Sequence, residues 1–258
     1  MSLRTLNAYD HYGYALVAMA GTALAVAGIV WLLRRSPWRD RLGTWRGVAP
    51  PFINILGVLF GLTLAFIAND TWSAHDKATS AVHREADALR SLIVLADGLE
   101  EPARRELLDA LAAVGRSSVD EWASLAQRTA SPQASERGDA LLALLAGPKV
   151  TAAAGHTLQT LMLERVLRLR EDRNLRIALS QTHLNPLKWL GMAFLGFLTL
   201  LSIAAVHVDN PRAAYVAIVL FALSAAPTAA IVLIQGNPFQ PPSFVSPAPI
   251  EAALGALR

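Results

Sequence analysis

The chain has 258 residues, of which 53% are hydrophobic and only 17% charged, and its mean hydropathy is +0.37. Soluble domains carry about a quarter charged residues. The deficit is local: the stretches 13–33, 52–69, 187–207 and 213–235 hold a single charged residue, Lys188, and this excludes both a purely soluble enzyme and a disordered chain.

Roughly 20 helical residues cover the hydrocarbon core of about 30 Å, so each apolar stretch is long enough to cross a bilayer. The first, 13–33, is followed by Arg34 and Arg35. Its apolar run is too long for a signal peptide, and the basic stop behind it keeps it in the membrane. The second, 52–69, opens after Pro50-Pro51 and closes at Asn69-Asp70. Between Trp72 and Ala96 there is no Gly or Pro, so this span is expected to continue out of the membrane as one long rod.

Residues 70–186 read as helical throughout. Asp97-Gly98 ends the rod, and a helix opening at Glu101-Pro102 runs to about Leu125, with Pro in the favoured first turn. Residues 131–135 read as a loop, 136–146 as a short helix, and 149 to about 183 as the last polar helix, weakened at Gly155. In that helix Glu164, Arg168, Asp172 and Arg176 follow at four-residue steps, the spacing of a solvated, charge-paired face. Leu158, Leu161, Met162, Val166, Leu169 and Leu179 would supply its packing side. The third and fourth spans are 187–207 and 213–235, the fourth containing Pro227, and the Pro-rich tail 236–258 reads as extended with a final helical turn at 249–257. The organisation is therefore a first helix pair with a basic loop (1–69), a helical extramembrane domain (70–186), a second pair (187–235) and the tail.

The sequence pI of about 9.6 does not indicate nucleic acid. Segment 70–186 holds 14 basic and 16 acidic side chains, whereas loop 34–50 holds Arg34, Arg35, Arg39, Arg41 and Arg46 against Asp40 alone. With Trp31, Trp38 and Trp45 around it, this loop reads as a topology signal or an anionic-lipid contact, and the bilayer is the expected partner.

No enzyme signature is present: no phosphate loop, no Gly-x-Ser-x-Gly elbow, no His-Glu-x-x-His. Zero cysteines remove disulfides, thiolate metal sites and cysteine nucleophiles. His83 and Asp87 are four apart on a helix, but two such ligands do not close a metal site. Neither a metal nor a cofactor is expected. Asp120 and Glu121 are read as facing water while Trp122 packs inward.

The second span carries the functional expectation. Gly57, Gly61 and Ala65 form a small-residue ridge that lets another helix approach closely. At 100° per residue, Val58, Leu62, Ala65, Asn69, Asp76, His83 and Asp87 fall within about 40° of one line. The line is apolar inside the membrane and polar beyond it. Several copies around an axis, this face inward, would form a hydrophobic neck (Val58, Leu62, Ala65, Asn69) opening into a polar vestibule (Asp70, Asp76, His83, Asp87). The same face could instead pack against the first or fourth span.

Phe60-Gly61-Leu62-Thr63-Leu64-Ala65-Phe66, then Asn69-Asp70-Thr71-Trp72, then Glu85-Ala86-Asp87-Ala88-Leu89, and Glu121-Trp122 between two span pairs, resemble the bacterial bestrophin-like domain proteins. More loosely the layout is similar to bestrophins, pentameric anion channels whose second span lines the pore with a hydrophobic neck. The resemblance implies an all-α membrane protein of four transmembrane helices with a helical bundle between the second and third. It also implies a homo-oligomer, pentameric by comparison, that passes inorganic ions and sits as a multi-pass protein in the bacterial inner membrane. No acidic calcium clasp of the bestrophin type is assigned in this sequence.

A ring of Asp76, or Asp70, at the pore mouth would favour cations. The arginines of loop 34–50 place that loop in the cytoplasm and the helical domain outside, whereas bestrophins keep the equivalent domain in the cytosol. Arg168, Arg170, Arg173, Arg176 and Lys188 pull toward the bestrophin arrangement. The leading expectation is a passive ion channel. Its rival is a non-conducting sensor or scaffold whose helical domain binds a ligand or partner. A transporter ranks third, since one Pro-containing span lacks the paired broken helices expected of one.

Overall fold

A computed structural model describes residues 10–36, 41, 44, 49–181, 185–242 and 244–257. Parts of the arginine-rich loop, including Arg39, Arg46, Trp38 and Trp45, lie outside the described residues. The fold is 86% helical with no strands among the described residues. Nine α-helices are described: α1 Asp10–Arg35, α2 Ala49–Ala96, α3 Ala103–Asp120, α4 Trp122–Ala126, α5 Pro132–Ala146, α6 Pro148–Ser180, α7 Pro186–Val206, α8 Pro211–Ile234 and α9 Ala248–Leu254, with a short 3₁₀ turn Gly255–Leu257. Four of them, α1, α2, α7 and α8, are long and apolar enough to cross a membrane. The polar helices stand between the second and third of these, so this is an all-α, four-span membrane protein with an intervening helical bundle. The described residues form two units, 10–72 with 185–236 and 73–181 with 237–257; α2 is a single 48-residue helix contributing to both.

In the membrane unit, α7 and α8 begin alike, at Asn-Pro. The Asn185 Oδ1 accepts from Leu187 N at 3.0 Å and the Asn210 Oδ1 from Ala213 N at 3.2 Å, with Pro at the first helical position, where no amide donor is needed. One cluster joins Ile29 and Leu33 of α1 to Leu200, Ile203 and Ala204 of α7 and Ile218 of α8. Another joins Phe60, Ile67 and Ala68 of α2 to Met192 of α7 and Ala225, Ala229 and Val232 of α8. At one end Arg34 stands over the Tyr215 ring, 5.9 Å from its centroid.

In the helical unit, Leu89 and Leu92 of α2 meet Leu107 and Leu111 of α3, Leu141 and Leu145 of α5 and Met162, Val166 and Leu169 of α6 in one core. Helix α5 starts earlier than its sequence suggests, because Ser131 caps it: its hydroxyl accepts from Ala134 N at 3.4 Å, and Pro132 takes the first turn. Gly155, at φ 69°, interrupts α6. Gln159 bridges the interruption, donating to Leu145 O at 2.8 Å and accepting from the Thr151 hydroxyl at 3.0 Å.

The Pro-rich tail is part of this core rather than a free extension. Phe239, Val245, Ile250 and Ala253 are buried in it. Trp122 Nε1 donates to Val245 O at 2.7 Å, and the Trp122 ring meets Phe239 edge-on at 5.8 Å. Asn237 Nδ2 donates to Leu125 O at 3.1 Å. Gly115 lets α9 approach: a Cβ there would lie 2.4 Å from Leu254 Cδ2.

Candidate functional site

Helix α2 contributes to both units, so its predicted line of residues is taken one half at a time. In the membrane unit, Phe60, Ile67 and Ala68 face α7 and α8 and are buried, with the Phe60 and Phe221 rings 5.3 Å apart. Val58, Leu62, Ala65 and Asn69 lie on another side and are exposed, Val58 at 68% and Leu62 at 49%. The line therefore does not pack on the first or fourth span of its own chain. A Cβ placed on Gly57 or Gly61 would meet nothing within 4 Å; the small-residue ridge is unused within the chain.

Asp70 and Lys188 form an ion pair at 2.6 Å, with both side chains more than half exposed. Close by in sequence, Trp72 Nε1 donates to Gln235 Oε1 at 3.0 Å. The only charge within the four apolar stretches is thus matched by the first acid after the second. Asp70 stands apart from the other vestibule candidates, since its charge is compensated.

In the helical unit, Asp76, His83 and Asp87 are all exposed. His75, beside them, is half-buried; burial pushes its imidazole below the usual histidine value, against the opposing pull of Asp76. Among the described residues no group of three or more His, Asp and Glu side chains could hold a metal ion.

Sequence reasoning missed a second arrangement, on the other side of the same helix. Glu85 is buried and receives Arg176 twice, from Nε at 2.6 Å and from Nη2 at 3.0 Å. Ser118 donates to Glu85 Oε1 at 2.5 Å and accepts from Arg176 Nη2 at 2.7 Å. The Arg176 guanidinium lies 4.4 Å from the Trp122 ring centroid and 3.6 Å from Glu121 Oε2. Glu121 in turn accepts from Arg173 Nε at 2.9 Å, Arg173 Nη2 at 2.6 Å and the Ser131 amide at 2.9 Å. Beside this network Arg84 Nε donates to Asp172 Oδ1 at 2.8 Å.

Two expectations are corrected by this geometry. Glu121 is buried while Asp120 faces water, because Glu121 falls on the same helical face as Leu111, Val114, Ser118 and Leu125. Asp172 and Arg176 bond across to α2 rather than forming a solvated pair on α6; only Glu164 and Arg168 of that series are exposed. Burial pushes the Glu85 carboxyl above its ordinary value, with Arg176 and then Ser118 opposing and Glu121 reinforcing the rise. The signal available in the sequence was the motif carrying Glu85 and the Glu121-Trp122 pair, which has no evident chemistry until Arg176 is placed between them.

A four-span helical membrane protein with an apolar second span running into a charged bundle has counterparts among known proteins. The bestrophin-like domain family matches residues 20–250, and the chain belongs to that family. The fold is shared with solved structures of a bacterial bestrophin homolog from Klebsiella pneumoniae. One single-residue variant of it aligns at TM-score 0.69 and 14% identity, covering 94% of this chain and 97% of that one. Another aligns at TM-score 0.65 and 15% identity with the same coverage. A crystal structure described as a membrane protein aligns at TM-score 0.67 and 15% identity, covering 95% and 97%. No curated protein matches the chain in sequence.

Proposed function

We propose that the chain is the subunit of a homo-oligomeric channel that passes inorganic ions passively, with α2 lining the pore. The observation that carries this reading is the exposed apolar line of Val58, Leu62 and Ala65 on the very helix whose opposite side is packed into the subunit. An apolar line of that kind has two uses in a membrane, contact with lipid or the wall of an assembly. Its continuation along α2 into exposed Asp76, His83 and Asp87 favours the wall, since a water-filled path needs polar groups beyond its neck. Gly57 and Gly61 leave room beside it for a neighbouring copy of the helix. Val58 and Leu62 form the hydrophobic neck, with Ala65 and Asn69 next along the pore; Asp76, His83 and Asp87 line the vestibule. By family resemblance the assembly is a pentamer in the bacterial inner membrane, and the chain is not an enzyme.

Purified protein reconstituted in liposomes should give ion flux driven by a gradient alone, and particle images should show a ring with α2 at its axis. A solid dimer, or absence of flux across salts and voltages, would overturn the proposal and favour the non-conducting sensor or scaffold.

A further inference from the structure

Within the helical unit, α3, α5 and α6 leave between them an open pocket of about 130 Å³. It exists because the side chains that face it are small: Ser117 and Ser118 on α3, and Ala134, Ser135 and Gly138 on α5. Val114, Ala134 and Leu169 are buried and give it an apolar floor. Arg170, Arg173 and Asn174 are three and four residues apart on α6, so they share one side of that helix and form a basic wall. The exposed residues Asp139 and Asn174 mark the side open to solvent. Ser118 and Arg173 belong both to this pocket and to the network around Glu85 and Glu121.

The hydroxyl protons of the lining are already committed within the protein. Ser117 donates to Val114 O at 2.9 Å, Ser118 to Glu85 Oε1, and Ser135 to Ser131 O at 3.2 Å. The N–H groups of the wall are not. Arg173 directs Nε and Nη2 to Glu121, Ser131 and Ser135, and Arg170 reaches Asp139 through Nη2 at 2.7 Å. Among the described residues nothing bonds Arg173 Nη1, the remaining nitrogens of Arg170 or the Asn174 amide. The lining thus carries two guanidiniums against the one carboxylate of Asp139, with donors to spare. Its complement is an anionic acceptor, and a carboxylate matches the planar guanidinium fork. Inorganic phosphate would satisfy the wall but leave Val114, Ala134 and Leu169 uncovered, whereas a short alkyl chain removes that floor from water. Volume sets the length: about 130 Å³ is close to the ~150 Å³ that accepts benzene, which suits a ligand of about six heavy atoms. We propose that this pocket binds a small aliphatic carboxylate, its charged end on Arg170, Arg173 and Asn174 and its chain on the apolar floor. The inference does not depend on whether the protein conducts.

The test is isothermal titration of the full-length protein in detergent with sodium butyrate. Sodium phosphate and n-butanol are parallel arms, one carrying the charge without the chain and the other the chain without the charge. Butyrate should bind saturably, one per chain, and more tightly than either. A Cβ on Gly138 would meet nothing within 4 Å, so Gly138→Leu grows into open space at the pocket edge, and Leu is the better helix former. That variant should lose butyrate binding while keeping the wild-type melting temperature in the absence of ligand. Arg170→Gln, on the exposed side of the wall, should weaken butyrate by at least about tenfold. Absence of saturable butyrate binding to the wild type would overturn the proposal. So would phosphate or butanol binding as tightly as butyrate, since the pocket would then be an anion site or an apolar crevice only. Wild-type affinity in a folded Gly138→Leu, or in Arg170→Gln, would place any bound butyrate elsewhere and overturn it as well.

Discussion

Arg176 is fully buried and grips Glu85 through both Nε and Nη2, at 2.6 and 3.0 Å, tying α6 to α2 inside the helical domain. The pair is a poor source of net stability, because desolvating two charges offsets most of their attraction. It is nevertheless an expensive one to break. Arg176→Ala should lower the stability of the helical domain by about 3–5 kcal/mol, since Glu85 would be left charged and buried with Ser118 alone. Glu85→Leu combined with Arg176→Met should recover most of that loss. Thermal melts of the two variants in detergent check both expectations.

The raised pKa of Glu85 fixes the sign of its pH dependence. A carboxyl whose folded value lies above its unfolded value of about 4.5 contributes most below that pH, and the contribution falls as pH rises through the folded value. Glu85→Gln removes this titration. The melting temperature of the wild type minus that of Glu85→Gln should therefore be largest near pH 4.5 and shrink toward neutrality. A difference that grows with pH would mean that Arg176 outweighs burial and holds the carboxyl down, and a constant one that the two balance.

The tail offers a different kind of test. Gly115→Val would push a side chain into Leu254, which already comes within 2.4 Å of where a Cβ would sit. Overpacking of this sort costs about 1–3 kcal/mol, and here it displaces the Leu254 side chain and so weakens the seat of α9. Limited proteolysis should cut the variant near residues 243–248 well before the wild type is cut there.

The four spans were legible in the sequence because lipid tolerates little but apolar side chains over some 20 residues, and Lys188 alone interrupts that pattern. The start of α5 was missed: Ser131 followed by Pro132 is a helix N-terminus signal, but the five-residue polar stretch reads as a loop. The buried network was not legible either. Four-residue spacing identifies neighbours on one helix, so Asp172 and Arg176 read as each other's partners, and nothing in α6 alone announces that Arg84 and Glu85 lie opposite. The tail shows the same limit. Its prolines read as an extended backbone, but residues 238–242 turn and bend, and the docking of Phe239 and Val245 on Trp122 depends on a tertiary surface that no local pattern encodes. Of the candidate site, the line on α2 was legible because helical periodicity carries it, and what the structure adds is that its residues are left uncovered.

The proposed neck predicts a gain of function. Val58 and Leu62 are exposed on the subunit and apolar; ringed around an axis they would resist wetting. Val58→Ala and Leu62→Ala should each raise unitary conductance or open probability in planar bilayers, and the double variant more than either. Leu59→Ala is the control, since Leu59 is 44% exposed but lies about 100° around the helix from Val58. If all three behave alike, the pore does not run along the Val58 line.

Selectivity separates two carboxylates that the sequence alone treats as equivalent. Asp70 is held by Lys188 at 2.6 Å, so each subunit contributes little net charge there. Asp76 is exposed and lies on the line itself, so copies around an axis would present a ring of negative charge to entering ions. Asp76→Asn should therefore lower the cation-to-anion permeability ratio, measured as a shift in reversal potential under a salt gradient. Asp70→Asn makes the same unit change of charge, leaving Lys188 where a neutral pair stood, but about 120° around α2 from the Val58 line, so it should move that potential in the same direction by less. The ordering also reports on screening: both shifts should weaken as ionic strength rises and the Debye length falls to about 3 Å at 1 M salt. A larger effect at Asp70 than at Asp76 would place the ion path on the Lys188 side of α2 and move the pore off the proposed line.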